Sequence, residues 1–97
     1  MKVSFNNNSI DVSVTNIDTL EAINRVQDDI AAIKKSKGLT DTINGIKNVE
    51  SEVKAIVESN DGDFSTFFPK RDYLEYLKFT QAVVEAFNNA DFKEIKL

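Results

Sequence analysis

The apolar residues of this chain change period near residue 15, and that change constrains the fold more than any other feature of the sequence. Over residues 2–14, KVSFNNNSIDVSV, the apolar positions Val3, Phe5, Ile10, Val12 and Val14 fall two apart within each half. Such alternation places apolar side chains on one face of a strand. Asn6, Asn7 and Asn8 separate the halves, and Asn tolerates the left-handed backbone that tight turns need. The stretch reads as a β-hairpin with one apolar face. An isolated hairpin is marginal in water, so it must pack on the helices, pair with another hairpin, or both.

Beyond that point the spacing becomes three and four. Asp18 with Glu21 forms a capping-box pattern, which predicts a helix over residues 18–37. Its apolar stripe is Ile23, Val26, Ile30 and Ile33. Gly38 is the expected left-handed stop. A second helix is expected over residues 40–59, starting at Thr40 or Asp41, with the stripe Ile43, Ile46, Val49, Val53, Ile56 and Val57. Gly45 inside it costs up to about 1 kcal/mol against Ala. Either the helices approach closely there or the helix starts late. So short a connection predicts an antiparallel αα-hairpin.

Residues 60–71 form an aromatic joint. Asn60, Asp61 and Gly62 end the second helix, Phe64, Phe67 and Phe68 follow, and Pro69 is the only proline of the chain. Asp72 and Glu75 repeat the capping-box spacing ahead of a third helix over residues 72–88, with Tyr73, Leu74, Leu77, Val83, Val84 and Phe87 as its apolar positions. Residues 89–97 form a tail in which Phe92, Ile95 and Leu97 are apolar. The expected architecture is mainly α with a small β element, an N-terminal β-hairpin followed by a three-helix bundle, in a single domain of 97 residues.

Composition narrows the chemistry. The chain has no Cys and no His, which removes thiolate chemistry, disulfides, the commonest metal ligand and every His-containing triad. A net charge of -4 argues against binding a phosphate backbone. The one basic cluster, Lys34, Lys35 and Lys37, sits where a helix C-terminus attracts cations. No apolar run approaches a membrane span, and the N-terminus has no signal-peptide core, so the cytoplasm is the expected compartment.

The turn Asn60–Asp61–Gly62–Asp63 invites a calcium reading, but phenylalanines occupy the positions where an EF-hand loop would continue its ligands. Asp28 with Asp29, and Glu50 with Glu52, are paired carboxylates on polar helix faces and read as solvated surface. No cofactor or metal is expected, and no enzymatic activity. The aromatics either close the open end of the helical hairpin or anchor a partner, and the two roles are compatible.

The order of elements resembles that of the small tail assembly chaperones of long-tailed, siphovirus-type bacteriophages and prophages of Gram-positive bacteria. The resemblance rests on the alternating KVSFNNNSIDVSV segment, an acidic helical hairpin, and DGDFSTFFPKRDYLEYLKFTQAVVEAF with its FF-P joint. It implies a non-enzymatic protein that binds the helical tape measure protein in the cytoplasm of the infected or lysogenic host, self-associates, and is absent from the mature virion. On that reading Phe64, Phe67, Phe68, Tyr73 and Tyr76 are expected near the partner surface, and Val3, Phe5, Ile10 and Val12 near a subunit contact. Two alternatives stay open: a small secreted helical-hairpin protein of a type VII (ESX-like) system, and a small acidic protein-binding regulator. The type VII plan carries a Trp-x-Gly turn, and this chain has no Trp.

Overall fold

The computed structural model describes residues 1–89. A two-stranded antiparallel sheet, β1 (Lys2–Phe5) and β2 (Asn8–Asp11), opens the chain. Helices α1 (Ile17–Lys34) and α2 (Leu39–Glu58) follow, then a single turn α3 (Phe64–Phe67) and the last helix α4 (Tyr73–Asn89). The expected β-hairpin and helical bundle are both present, and the aromatic joint contains the extra turn α3. Asn89 is the last residue of α4. The rest of the expected tail, including Phe92, Ile95 and Leu97, lies outside the described residues.

The hairpin turn is made by Asn6 and Asn7 at φ 49° and 61°. Two consecutive left-handed residues match the right-handed twist of the flanking strands. Asn8 already pairs with Phe5, and Val3 with Ile10, so Val3 and Ile10 share the inner face. The hairpin meets its need for cover by packing on the helices. Val3, Ile10 and Val12 are buried there.

The helix ends depart from the sequence expectations in two places. The N-cap of α1 is Asn16, not Asp18. Asn16 Oδ1 accepts from the Thr19 amide at 3.1 Å, and the Ser13 hydroxyl accepts from the amides of Thr15 and Asn16. A neutral Asn held by the preceding turn outcompetes an Asp two residues later, and Asp18 falls in the first turn, where its charge meets the helix dipole. Gly38 is not a left-handed stop. It is the extended N-cap of α2 at φ -152°, a conformation open to any residue, and α2 begins at Leu39. The capping of α4 follows the sequence pattern, with Asp72 Oδ1 accepting from the Leu74 amide at 2.9 Å.

The left-handed residue that ends α2 is Asp61, at φ 62°. The Gly62 amide donates to Val57 O at 2.9 Å and the Asp61 amide to Glu58 O at 3.2 Å, the paired bonds of a Schellman ending. Gly62 is needed for space. A Cβ there would stand 2.7 Å from both Ile10 Cδ1 and Val57 Cγ1. Gly45 likewise permits close helix approach, since a Cβ would stand 2.6 Å from Ile33 Cγ1.

One apolar cluster joins the sheet and the helices: Val3, Ile10 and Val12 from the hairpin, Ala22, Ile23 and Val26 from α1, Val49, Val53, Ile56 and Val57 from α2, and Tyr76, Phe79 and Val83 from α4, with Phe67 and Phe68 beside them. Burying side chains of this size stabilises by about 1.5–3 kcal/mol each before entropy is counted. None of these residues lies between Val26 and Val49. The turn-distal half of the αα-hairpin is core, and the half nearest the α1–α2 turn is not.

Candidate functional site

The aromatic joint is built from both ends of the chain. Phe68 is its hub, with ring centroids 5.3 Å from Phe5, 5.1 Å from Phe64, 5.2 Å from Tyr76 and 5.3 Å from Phe79. Phe67 meets Phe79 edge-on at 6.4 Å. The hairpin turn clamps the joint, with Asn6 Nδ2 donating to Phe67 O at 3.0 Å. Asp63 caps α3, its carboxylate accepting from the Ser65 amide and from the hydroxyls of Ser65 and Thr66. Those bonds hold its carboxyl below the usual carboxylate range, the Thr66 hydroxyl contributing most. Its oxygens are thus engaged by donors. The described residues contain no group of three or more His, Cys, Asp or Glu side chains placed to hold a metal ion.

Of the five residues expected at the partner surface, Phe67, Phe68 and Tyr76 lie in the core at 4%, 6% and 1% exposure. Phe64 and Tyr73 are half-buried and pack against it. Of the four expected at a subunit contact, Val3, Ile10 and Val12 are buried in the monomer and Phe5 is half-buried against Phe68 and Phe79. Most of both sets is therefore consumed by the chain itself. In the folded monomer, Phe64 and Tyr73 are the members of the first set that reach the surface.

Phe64 opens onto a groove along the outer face of α2. The groove has two adjoining hollows. One, of about 550 Å3, lies between Ser51, Lys54 and Glu58 of α2 and the Asp63–Phe68 turn. The other, of about 240 Å3, is lined by Ile43, Ile46, Lys47 and Tyr76. Glu50 and Arg71 border both hollows. Positions 43, 46, 47, 50, 51, 54 and 58 recur at helical spacing, so a single face of α2 forms the floor.

Arg71 and Glu50 form a two-pronged ion pair across this groove. Arg71 Nε donates to Glu50 Oε2 and Nη2 to Oε1, each at 2.8 Å. The Tyr76 hydroxyl donates to Glu50 Oε2 at 2.6 Å. The guanidinium holds the Glu50 carboxyl below its ordinary value of 4.5 against the opposing effect of partial burial. Burial, and then the bond to Glu50, pushes the Tyr76 phenol well above its ordinary range. This triad pins the segment after Pro69 to the middle of α2. The sequence gives no sign of it, because Glu50 and Arg71 are 21 residues apart and no local pattern pairs them.

Of the carboxylate pairs considered for chemistry, Glu50 and Glu52 are engaged by different partners. Glu50 faces Arg71, while Glu52 accepts from Arg25 Nε at 2.8 Å. Partial burial, with Glu52 and Asp28 nearby, raises the Asp29 carboxyl somewhat. A second unforeseen feature is Asn60, expected only to end a helix. Its Oδ1 accepts from the Ser13 amide at 2.8 Å, and its Nδ2 donates to Ile56 O at 2.7 Å and to Thr19 Oγ1 at 3.1 Å. Thr19 Oγ1 also shares a hydrogen bond with Ser59 Oγ at 2.8 Å. One amide thereby joins the end of α2, the start of α1 and the segment leaving β2.

The arrangement can bind a peptide segment by burying apolar side chains between charged rims. Ile43, in the smaller hollow, is 43% exposed, and Leu39, one turn nearer the start of α2, is 76% exposed. No helix among the described residues is long and apolar enough to cross a membrane. Neither a protein-family model, nor a curated protein, nor a solved structure matches the chain.

Proposed function

We propose that this chain is a non-enzymatic tail assembly chaperone of the siphovirus type, which binds an amphipathic helical segment of the tape measure protein along the outer face of α2. The observation that carries the reading is the α2 groove, with Ile43 and Ile46 in one hollow, Phe64 in the other, the Glu50–Arg71 pair between them, and Lys47, Lys54 and Glu58 as charged groups along it. Helix-in-groove recognition needs apolar hollows at helical spacing and polar edges that set register. The two hollows offer both. The family resemblance of the sequence supplies the identity of the helix. The net charge of -4 keeps such a complex dispersed while its apolar surfaces are covered. In the type VII plan of two long helices, β1, β2 and α4 have no role.

The test is co-expression with the tape measure candidate encoded by a neighbouring gene, scoring its soluble fraction. The wild-type chain is expected to raise that fraction. Ile43→Lys is expected to abolish the gain with the circular dichroism spectrum unchanged, because Ile43 is 43% exposed. Phe64→Ala is expected to reduce it. Phe67 and Phe68 are unsuited to this test, since both are core residues. No gain in solubility with the wild-type chain would sink the proposal.

A further inference from the structure

The basic residues of this acidic chain gather at one end of the α2 groove. Residues 30–49, around the α1–α2 turn, carry Lys34, Lys35, Lys37 and Lys47 against a single acid, Asp41. That is a local charge of +3 in a chain of net charge -4, which leaves -7 over the rest. All four lysines are exposed, and none belongs to a salt bridge among the described residues. The helix dipole accounts for only part of the cluster. Lys34 is in the last turn of α1 and Lys35 is its C-cap. Lys37 lies in the connection and Lys47 well inside α2, where the dipole of α1 no longer acts.

Apolar exposure coincides with this charge. Leu39, Ile43 and Lys47 are four residues apart and so form one row along α2. Leu39 and Ile43 are exposed, and Lys47 lines the smaller hollow together with Ile43 and Ile46. Elsewhere in the groove the charges are already met. Lys54 stands 3.8 Å from Glu58, Asp63 accepts from Ser65 and Thr66, and Glu50 accepts from Arg71 and Tyr76. A ligand that covers Ile43 and Ile46 therefore comes up beside Lys47, and it gains most by bringing an acid there. A phosphate backbone would use the lysines and leave the apolar row bare. A flat lipid surface would not enter the hollow that Ile43, Ile46 and Tyr76 line. An amphipathic helix with acids beside its apolar stripe uses both features.

We infer that the turn end of the α2 groove is an acid-recognising site, and that the segment it takes up is an amphipathic helix with Glu or Asp flanking its apolar stripe. Lys47 meets those acids from α2, and Lys35 and Lys37 meet them from the α1–α2 turn. This specificity rests on the reading of the α2 groove as a helix-binding surface and adds to it the chemistry of the helix selected. Apolar side chains seated against Ile43 and Ile46 supply contact area, which any amphipathic helix could offer. The lysines supply discrimination, because a helix with basic flanks would place like charges together.

The test is fluorescence anisotropy of the full chain with two dye-labelled synthetic peptides. Both carry the same leucine stripe at helical spacing, one with Glu and the other with Lys at the flanking positions. The Glu peptide is expected to bind about tenfold or more tightly at low salt, with the advantage shrinking as salt rises. Lys35→Glu, Lys37→Glu and Lys47→Glu combined are expected to reverse the preference. All three lysines are exposed, so the circular dichroism spectrum should not change. Lys78→Glu, at an exposed position of α4 outside both hollows, is expected to leave the preference within about twofold. Failure of the Glu peptide to bind, equal binding of the two peptides, or a preference that survives the triple change overturns the proposal. Anionic vesicles or duplex DNA that bind more tightly than the Glu peptide, and lose binding with the same three lysines, overturn it by assigning the lysines to phosphate. A chain that prefers the Glu peptide but does not solubilise a tape measure protein keeps its acid-recognising site and loses the proposed function. One that solubilises a tape measure protein yet ignores peptide charge does the reverse.

Discussion

The two ends of the αα-hairpin have the same apolar spacing and opposite fates. At the end away from the α1–α2 turn, Ala22, Ile23, Val26, Val49, Val53, Ile56 and Val57 are all buried, and the Thr19–Ser59–Asn60 network closes the layer. At the turn end, Ile30, Ile33 and Ile46 are only half-buried, and Ile43 and Leu39 are exposed. Two helices side by side each cover only part of the other's stripe. Full burial requires a third layer, and the hairpin, the aromatic joint and α4 supply it over one end. The smaller hollow of the α2 groove, lined by Ile43, Ile46 and Lys47, and a groove between Ile30 and Lys34 of α1 and Leu77 and Val84 of α4 lie along the uncovered remainder, while the larger hollow adjoins the aromatic joint.

The contrast breaks most readily through cavity formation. Phe79→Ala empties a fully buried ring that meets Phe5, Phe67 and Phe68, and is expected to cost about 3–5 kcal/mol in urea unfolding. Ile43→Ala at the turn end should cost about 1 kcal/mol or less, since less of its surface leaves water on folding. Equal costs would mean that the two ends are equally covered.

The two crowded glycines give a finer comparison. In Gly62→Ala the new Cβ would meet Ile10, the Val57 side chain and, at 3.1 Å, the Val57 carbonyl. Backbone cannot rotate aside, so a loss of about 1–3 kcal/mol is expected. In Gly45→Ala the obstacle is the half-buried Ile33 side chain alone, with no backbone atom in the way, and Ala adds up to about 1 kcal/mol of helix propensity. Gly45→Ala should therefore be the milder change by thermal denaturation.

Asn60→Ala leaves the Ser13 amide and the Thr19 hydroxyl short of partners and is expected to cost about 1–3 kcal/mol. Hydrogen exchange should locate the loss at the start of α1 and the end of α2, with little change near Ile43.

The smallest effect is one of pH. Arg71 holds the Glu50 carboxyl below its ordinary value of 4.5, so its contribution to stability is fully present above that value. It is lost as pH falls through the lower folded value. Arg71 is largely exposed, with 72% of its side chain open to solvent, so screening keeps this contribution modest. Glu50→Gln should flatten the acid limb of the stability curve, and high salt should shrink the difference from wild type. An unchanged acid limb would show that the pair does not couple to folding.

Much of the fold was legible. The hairpin was carried by alternation around adjacent asparagines, and the structure places Asn6 and Asn7 in the left-handed turn. The helices were carried by spacing, and the crowding at Gly45 by its interruption of a good helix. The errors were local competitions that spacing does not resolve. Asn16 took the cap expected of Asp18 because the Ser13 hydroxyl holds the preceding turn. Gly38 proved to be an extended cap. The candidate site was less legible. Phe64, Phe67 and Phe68 looked alike in sequence, yet Phe67 and Phe68 are core, Phe68 also edging the groove, and Phe64 is the half-buried one that opens onto it.

The sequence by itself determined where the chain turns, which faces are apolar, and that no His or Cys side chain is available to it. These properties are set by each residue and its near neighbours, through backbone preference and side-chain period. Only the tertiary structure decided which apolar residues are covered and which remain to bind. That depends on contacts such as Asn6 with Phe67, 61 residues apart, and Ser13 with Asn60, 47 apart. Burial is a property of what packs on a face, and no local pattern carries it.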